Sequence, residues 1–324
     1  MDSRKNTDKT KVAALREIFP GHPYLMVEDG RGGFSEGGNQ NWWSRKTKIT
    51  GHKGITDGLK KKMRDRSYRL WKGGCGVIAL CDMELYLAKL RDVDHLENEP
   101  DSKHKEKNPK QNEPDFRQKE RIPEHKAYDQ SHNEINSSRK DQNLGQKSFP
   151  HSYGIEAGDY MSYVEKRYAS RYVLWANPVD CTTGLQPWKM IYGFWRFERE
   201  GAHPYKRATW AKHCLKPRKW QKKAVLSDIE RMLSQNIPVV FSCHRFGKKH
   251  DTGLYRSLEE AGNGKPPETV NGHYMTVISL HKSPTYEGKY IMKVISWGKI
   301  YYIDYDEYAS GLNFFHNILT VKMK

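Results

Sequence analysis

The sequence has few cysteines, and their spacing is irregular. The five, Cys75, Cys81, Cys181, Cys214 and Cys243, are odd in number and include no CxxC pair. That excludes a zinc ribbon and a disulfide framework. The adjacent pairs His213–Cys214 and Cys243–His244 lack a second-ligand spacing, so no metal and no cofactor is expected. Long apolar runs are missing too. The opening stretch "MDSRKNTDKTKVAALREIF" has no secretory core, and no run reaches membrane-spanning length. The expectation is a protein of the reducing cytoplasm without a membrane partner. Hydrophobic residues are only 36% and mean hydropathy is −0.92, so part of the chain is not expected to pack. No internal repeat is present.

The hydrophilic excess is concentrated in residues 94–147, which hold four prolines and almost no aliphatic side chains. Such a segment cannot bury enough surface to offset its ordering entropy, so it reads as a mobile insert, dispensable for folding. It carries 11 Lys+Arg against 12 Asp+Glu, a net −1, so the overall +17 belongs to the rest of the chain. Two basic stretches, "KKKMRDRSYRLWK" (60–72) and "KHCLKPRKWQKK" (212–223), interleave cations with Tyr and Trp. That pattern suits single-stranded nucleic acid. Basic helix faces with buried aromatics look the same, and the cations are spread over several segments, so a nucleic-acid partner is the lesser reading.

Along the chain, residues 10–19 read as a short helix and Gly30–Gly58 as loop with short extended pieces. A helix from about Cys75 to Leu90 is interrupted only by Asp82, Glu84 and Lys89. A helix apolar nearly all round is buried. "GIEAGDYMSYVEKRYASRY" reads as a second helix, and "NPVDCTTGLQPWKMIYGFW" as an irregular aromatic crossing. "KAVLSDIERMLSQNIPVVFSC" is a helix running into a buried strand. Strands follow at "HYMTVISL", "KYIMKVISW", "KIYYIDY" and "NILTVKMK", with a short turn or helix at "DEYASG". Helices in front and strands behind indicate an α+β protein. The organisation expected is a basic, glycine-rich segment (1–64), the cysteine-bearing helix (65–93), the insert (94–147) and a β-rich remainder (148–324).

Cys75 is the residue with chemical promise. A thiol in the first turn of a helix lies beside unpaired backbone N–H groups and the positive end of the dipole. Lys72 and the helix end are expected to lower its pKa from about 8.5 into the range of roughly 3.5–7.5. A nucleophile needs a base, and the base an orienter. His273, entering a strand after the turn Asn271-Gly272, is 198 residues from Cys75, or 144 once residues 94–147 are set aside. The separation in a papain-type Cys-then-His order is about 130–150 residues. Ser296-Trp297-Gly298 follows on the next strand. Cys81, deeper in the same helix, reads as core.

In that order, Cys75-Gly76, Gly272-His273 and Ser296-Trp297-Gly298 resemble the papain-like cysteine peptidase superfamily. They look closest to its compact bacterial branch that includes the double-glycine leader peptidases. The resemblance covers roughly residues 65–92 and 220–310. It implies a central buried N-terminal helix packed on an antiparallel C-terminal β-sheet. It also implies a thiol hydrolase acting on a peptide or protein through a Cys75 acyl-enzyme, with His273 as base and acid and Ser296 as orienter. Trp297 would shield that bond, and Gly74 and Gly76 would admit the substrate backbone. Two departures stand out. Ile295 occupies the place of the family's orienting Asn or Asp, so the role passes to Ser296, to a water or to no group, and a serine brings no charge to stabilise imidazolium. Arg69 stands where the family has an oxyanion-binding glutamine, a role that Gln40 of the "NQNWW" loop would then take. Three alternatives are an acyltransferase using the same pair, an inactive relative acting as a binding module, and a basic nucleic-acid-binding protein.

Overall fold

Residues 75–87 are apolar apart from Asp82 and Glu84, and a helix with no polar face must be surrounded. The computed structural model surrounds it. It describes residues 14–18, 20, 24–28, 33–44, 66–97, 154–169, 179–180, 184–200, 205–244, 251–261, 266–283 and 287–323. Helix α1 (Arg66–Gly73) leads into α2 (Cys75–Glu97), and every side chain from Cys75 to Glu84 is buried. Burying each of the larger ones, such as Leu80 or Met83, contributes roughly 1.5–3 kcal/mol.

Two helices cover α2. Helix α3 (Ala157–Ala169) turns Tyr160, Val164 and Arg167 inward at helical spacing, and α4 (Pro187–Glu200) turns in Met190 and Phe194. Glu84 of α2 is matched to α3 by Arg167 (2.9 Å) and by the Tyr163 hydroxyl (2.9 Å). A buried carboxylate with a paired guanidinium and a further donor can stay charged; one without a counter-ion is pushed toward its neutral form.

The remaining wall is a five-stranded antiparallel sheet. Strands β1 (Ala14–Glu17) and β8 (Val239–Ser242) share one edge of β11 (Tyr274–Lys282), followed by β12 (Tyr290–Ser296) and β13 (Lys299–Asp304). Helix α2 packs against β11 and β8, and α5 (Arg218–Leu233) packs against β1, β8 and β11. Helix α6 (Tyr305–Ser310) is started by Asp304, whose carboxylate accepts from the N–H groups of Asp306 and Glu307. Shorter pairs complete the fold: β2 (Met26–Glu28) between β3 (Phe34–Glu36) and β4 (Gly154–Glu156), β5 (Val179–Asp180) with β6 (Gly184–Leu185), β7 (Tyr205–Trp210) with β14 (Leu319–Met323), and β9 (Thr252–Leu254) with β10 (Glu268–Val270). The chain is therefore mixed α+β with antiparallel sheets, a buried helix lying on the main one.

Two expectations are corrected. Residues 14–17 are not helical: "ALRE" is an edge strand paired with His281, Leu280 and Ser279 of β11. Its backbone groups are satisfied by a strand from the other end of the chain, which overrides a local helical preference. "PWKMIYGFW" is not an irregular crossing but the first part of α4. Its proline takes the first helical position, where no N–H is missed. The expected insert lies outside the described residues except for 94–97, which continue α2.

Candidate active site

Gly74 joins α1 to α2. Its N–H donates to the Leu70 carbonyl (2.9 Å) and its own carbonyl accepts from Ile78 (2.9 Å). A Cβ there would lie 2.2 Å from the Leu70 oxygen. One at Gly76 would lie 2.9 Å from Leu185 Cβ and 3.0 Å from Tyr274 Cδ2. Both spaces are filled by the protein's own atoms, so these glycines let the chain pack, and neither is among the residues that line the cleft described below. Gly76→Ala is expected to lower the unfolding free energy by about 1–3 kcal/mol, read by urea titration.

The close packing seats Cys75 against the start of β11. Pairing of Thr276 with Ile295 brings the beginning of β11 beside the end of β12. His273 and Ser296 therefore meet at one end of the sheet, His273 Nε2 lying 2.6 Å from Ser296 Oγ. Cys75, His273, Ser296 and Trp297 all line one cleft, together with Ile295 and Gln40. The tautomer that can take a proton on Nδ1 carries its own on Nε2 and donates it to Ser296. The order Cys75, His273, Ser296 read from the sequence is thus a spatial constellation.

Trp297 stacks on the imidazole, ring centroids 4.3 Å apart and planes 25° off parallel. It stands in the two-residue turn between β12 and β13, with φ of 51° at Trp297 and 73° at Gly298. Positive φ at both positions is what a right-twisted hairpin requires, and for a bulky residue it is strained. The stacking holds the ring over His273 against that strain. Trp297→Ala should therefore destabilise the fold by about 1 kcal/mol more than Trp297→Gly, which loses the ring but relaxes the backbone. Thermal melts of the two variants check the order.

The electrostatics of the pair differ from the sequence expectation. Burial pushes the Cys75 thiol up; the backbone N–H groups of Tyr274, Gly76 and Cys75 itself oppose this and do not overcome it. Lys72 is not among the groups that act on the thiol; its Nζ sits 3.9 Å from the centroid of the Trp71 ring. Burial likewise pushes the His273 imidazole down to about 3. At neutral pH the resting pair is thiol and neutral imidazole. A helix start favours a thiolate only where the sulfur keeps water or a counter-charge, and here desolvation is the larger effect.

Gln40 enters the cleft from the loop after β3. Its Nε2 donates to the Trp71 carbonyl (2.5 Å), which only accepts, so the amide orientation is fixed. Its Oε1 is buried with no hydrogen-bond partner among the described residues. Asp82 also lines the cleft. In the sequence it was visible only as one polar interruption in an apolar helix, seven residues after Cys75; that spacing puts both on one face, with Ile78 and Ala79 between them. Of the second basic stretch, Trp220 and Leu215 are exposed, while His213 is spent on Asp228 (2.8 Å). Arg69 does not line the cleft. Comparison with protein-family models, with curated proteins and with solved structures finds no match to this chain.

Proposed function

We propose that this chain is a papain-like cysteine hydrolase that cleaves an amide or peptide bond through an acyl-enzyme on Cys75. The observation that carries the reading is the convergence in one cleft of a helix-start thiol with an imidazole that is hydrogen-bonded to Ser296 and stacked under Trp297. Substrate binding aligns a carbonyl carbon with the sulfur. The thiol proton passes to His273 Nδ1 as the S–C bond forms, and the resulting oxyanion accepts from the Cys75 N–H and from the second N–H of the Gln40 amide, the first being given to Trp71. His273 then gives its proton to the leaving amine as the C–N bond breaks. Water attacks the thioester in the second half, His273 taking its proton, and the thiol is restored. Ser296 keeps the imidazole in the tautomer this sequence of transfers needs.

p-Nitrophenyl acetate tests the reading without knowledge of the natural substrate. Release of p-nitrophenol should come with an acetyl group on Cys75, located by mass spectrometry of the digested protein, and should vanish in Cys75→Ala. Acetylation confined to Cys214 or to lysines, unchanged by that substitution, overturns it. Added amines that intercept the acetyl group would assign the same site to acyl transfer.

A further inference from the structure

We infer that Asp82 is a positioning residue: its carboxylate fastens the Gly37–Gln40 loop to the nucleophile helix and so sets where the Gln40 amide meets the oxyanion. The inference rests on the hydrolase reading above and concerns how that site is held and regulated.

Both Asp82 oxygens accept from the Gly38 N–H, at 3.1 Å each, and Oδ1 also accepts from the Tyr160 hydroxyl at 2.5 Å. The loop lies directly on the carboxylate. A Cβ at Gly37, where φ is +69°, would come 2.6 Å from Asp82 Oδ2, and one at Gly38 would come 2.0 Å from the Tyr160 oxygen. Two residues on, Gln40 is held by Trp71 of α1. The glutamine amide is thus tied through its backbone to α2 and through its side chain to α1, the two helices that flank Cys75. Nucleophile and oxyanion donor then move as one unit.

Asp82 has no counter-ion among the described residues. Around it stand Tyr160 of α3, Tyr24 before β2 and Cys81 on its own helix, with Cys75 and His273 elsewhere along the cleft. Glu84, two residues on and so turned away, is neutralised by Arg167. Burial pushes the Asp82 carboxyl up to about 7, held back by the bonds from Tyr160 and Gly38. Those donors favour the anion, and by linkage the anion favours the docked loop. Protonation gives up the charge-assisted part of the bond from the Gly38 N–H and so weakens the tie to the loop, although burial as a whole favours the acid form.

Two reagents separate this role from a merely structural one. Acetylation of Cys75 by p-nitrophenyl acetate passes through an oxyanion; alkylation by iodoacetamide does not. In the full chain, Gln40→Ala should slow acetylation by about 10²–10³-fold. Asp82→Asn should slow it by roughly 10–100-fold through misplacement of the same group. The double variant should be no slower than Gln40→Ala alone, because one residue acts through the other. Iodoacetamide alkylation should be nearly unchanged in all three. Tyr160→Phe, which removes a bond favouring the anion, should shift the acid limb of acetylation to higher pH and serves where Asp82→Asn does not fold. Multiplicative losses in the double variant, equal losses with both reagents, or an acid limb unmoved by Tyr160→Phe overturn the inference while leaving the hydrolase intact. Failure of the unaltered protein to acetylate Cys75 defeats the hydrolase reading, and this inference falls with it.

Discussion

His273→Ala should cost about 10³-fold or more in the acetylation of Cys75 and yet leave its alkylation by iodoacetamide close to that of the unaltered protein. The loss follows from the need for a base to take the thiol proton, which is His273; p-nitrophenolate leaves without a proton. The insensitivity of alkylation follows from burial. With the thiol pushed up and the imidazole pushed down to about 3, the resting pair is neutral, so the histidine does not hold the sulfur as thiolate. The alkylation rate of Cys75 should accordingly rise with an inflection above that of a free cysteine. Rate–pH profiles with both reagents test this. Rapid alkylation at pH 6 that disappears in His273→Ala would demonstrate a resting ion pair and refute the neutral one. Ser296→Ala is expected to reduce acetylation modestly, since a hydroxyl orients the ring without adding charge, and Ser296→Asn to retain it.

Two opposed slopes should be hidden in the pH dependence of stability. His273 is neutral in the fold down to about pH 3, whereas an unfolded histidine protonates near 6.5. The unfolded state therefore binds more protons below 6.5, and stability falls as the pH is lowered through that window, by roughly 2–3 kcal/mol at pH 4.5. Asp82 has the reverse sign. Its carboxyl titrates near 7 in the fold and near 3.8 when unfolded, so its contribution is complete below 3.8 and is lost as the pH rises to 7. Between pH 4.5 and 7 the two nearly cancel. Urea titrations of single variants should reveal them: His273→Gln becomes relatively more stable in acid, and Asp82→Asn relatively more stable at pH 8. Parallel profiles for both variants and the parent would show that neither group titrates as burial dictates.

Much of the fold and part of the site were legible in the amino-acid order. Helix α5 and strands β8 and β11–β13 follow from local periodicity, because a residue's inward or outward direction repeats every 3.6 or 2 positions whatever lies beyond. The apolar run after Cys75, broken only by Asp82 and Glu84 up to Leu87, indicated that α2 is buried. The order of Cys75, His273, Ser296 and Trp297 was legible because each sits at the end of a recognisable element, and element ends gather where a helix lies on a sheet. Helix α4 was not legible: Trp188, Tyr192 and Trp195 face outward while Met190 and Phe194 face inward, so aromatics on both sides erase the period. Strand β1 was hidden for another reason, since its hydrogen bonds go to a strand more than 260 residues away.

The sequence by itself determined an α+β chain with a buried cysteine helix and a histidine and serine on neighbouring strands. Only the tertiary structure decided that Gln40, which the sequence offered as a candidate, and Asp82, which shares a helix face with Cys75, meet in one cleft through contacts with Trp71, Gly38 and Tyr160. It also decided the protonation states. A helix start near a lysine favours a thiolate, but the energy of a charge is set by what surrounds it on every side, and here the surroundings exclude water. Desolvation is a property of the assembled interior, and a sequence read one window at a time does not contain it.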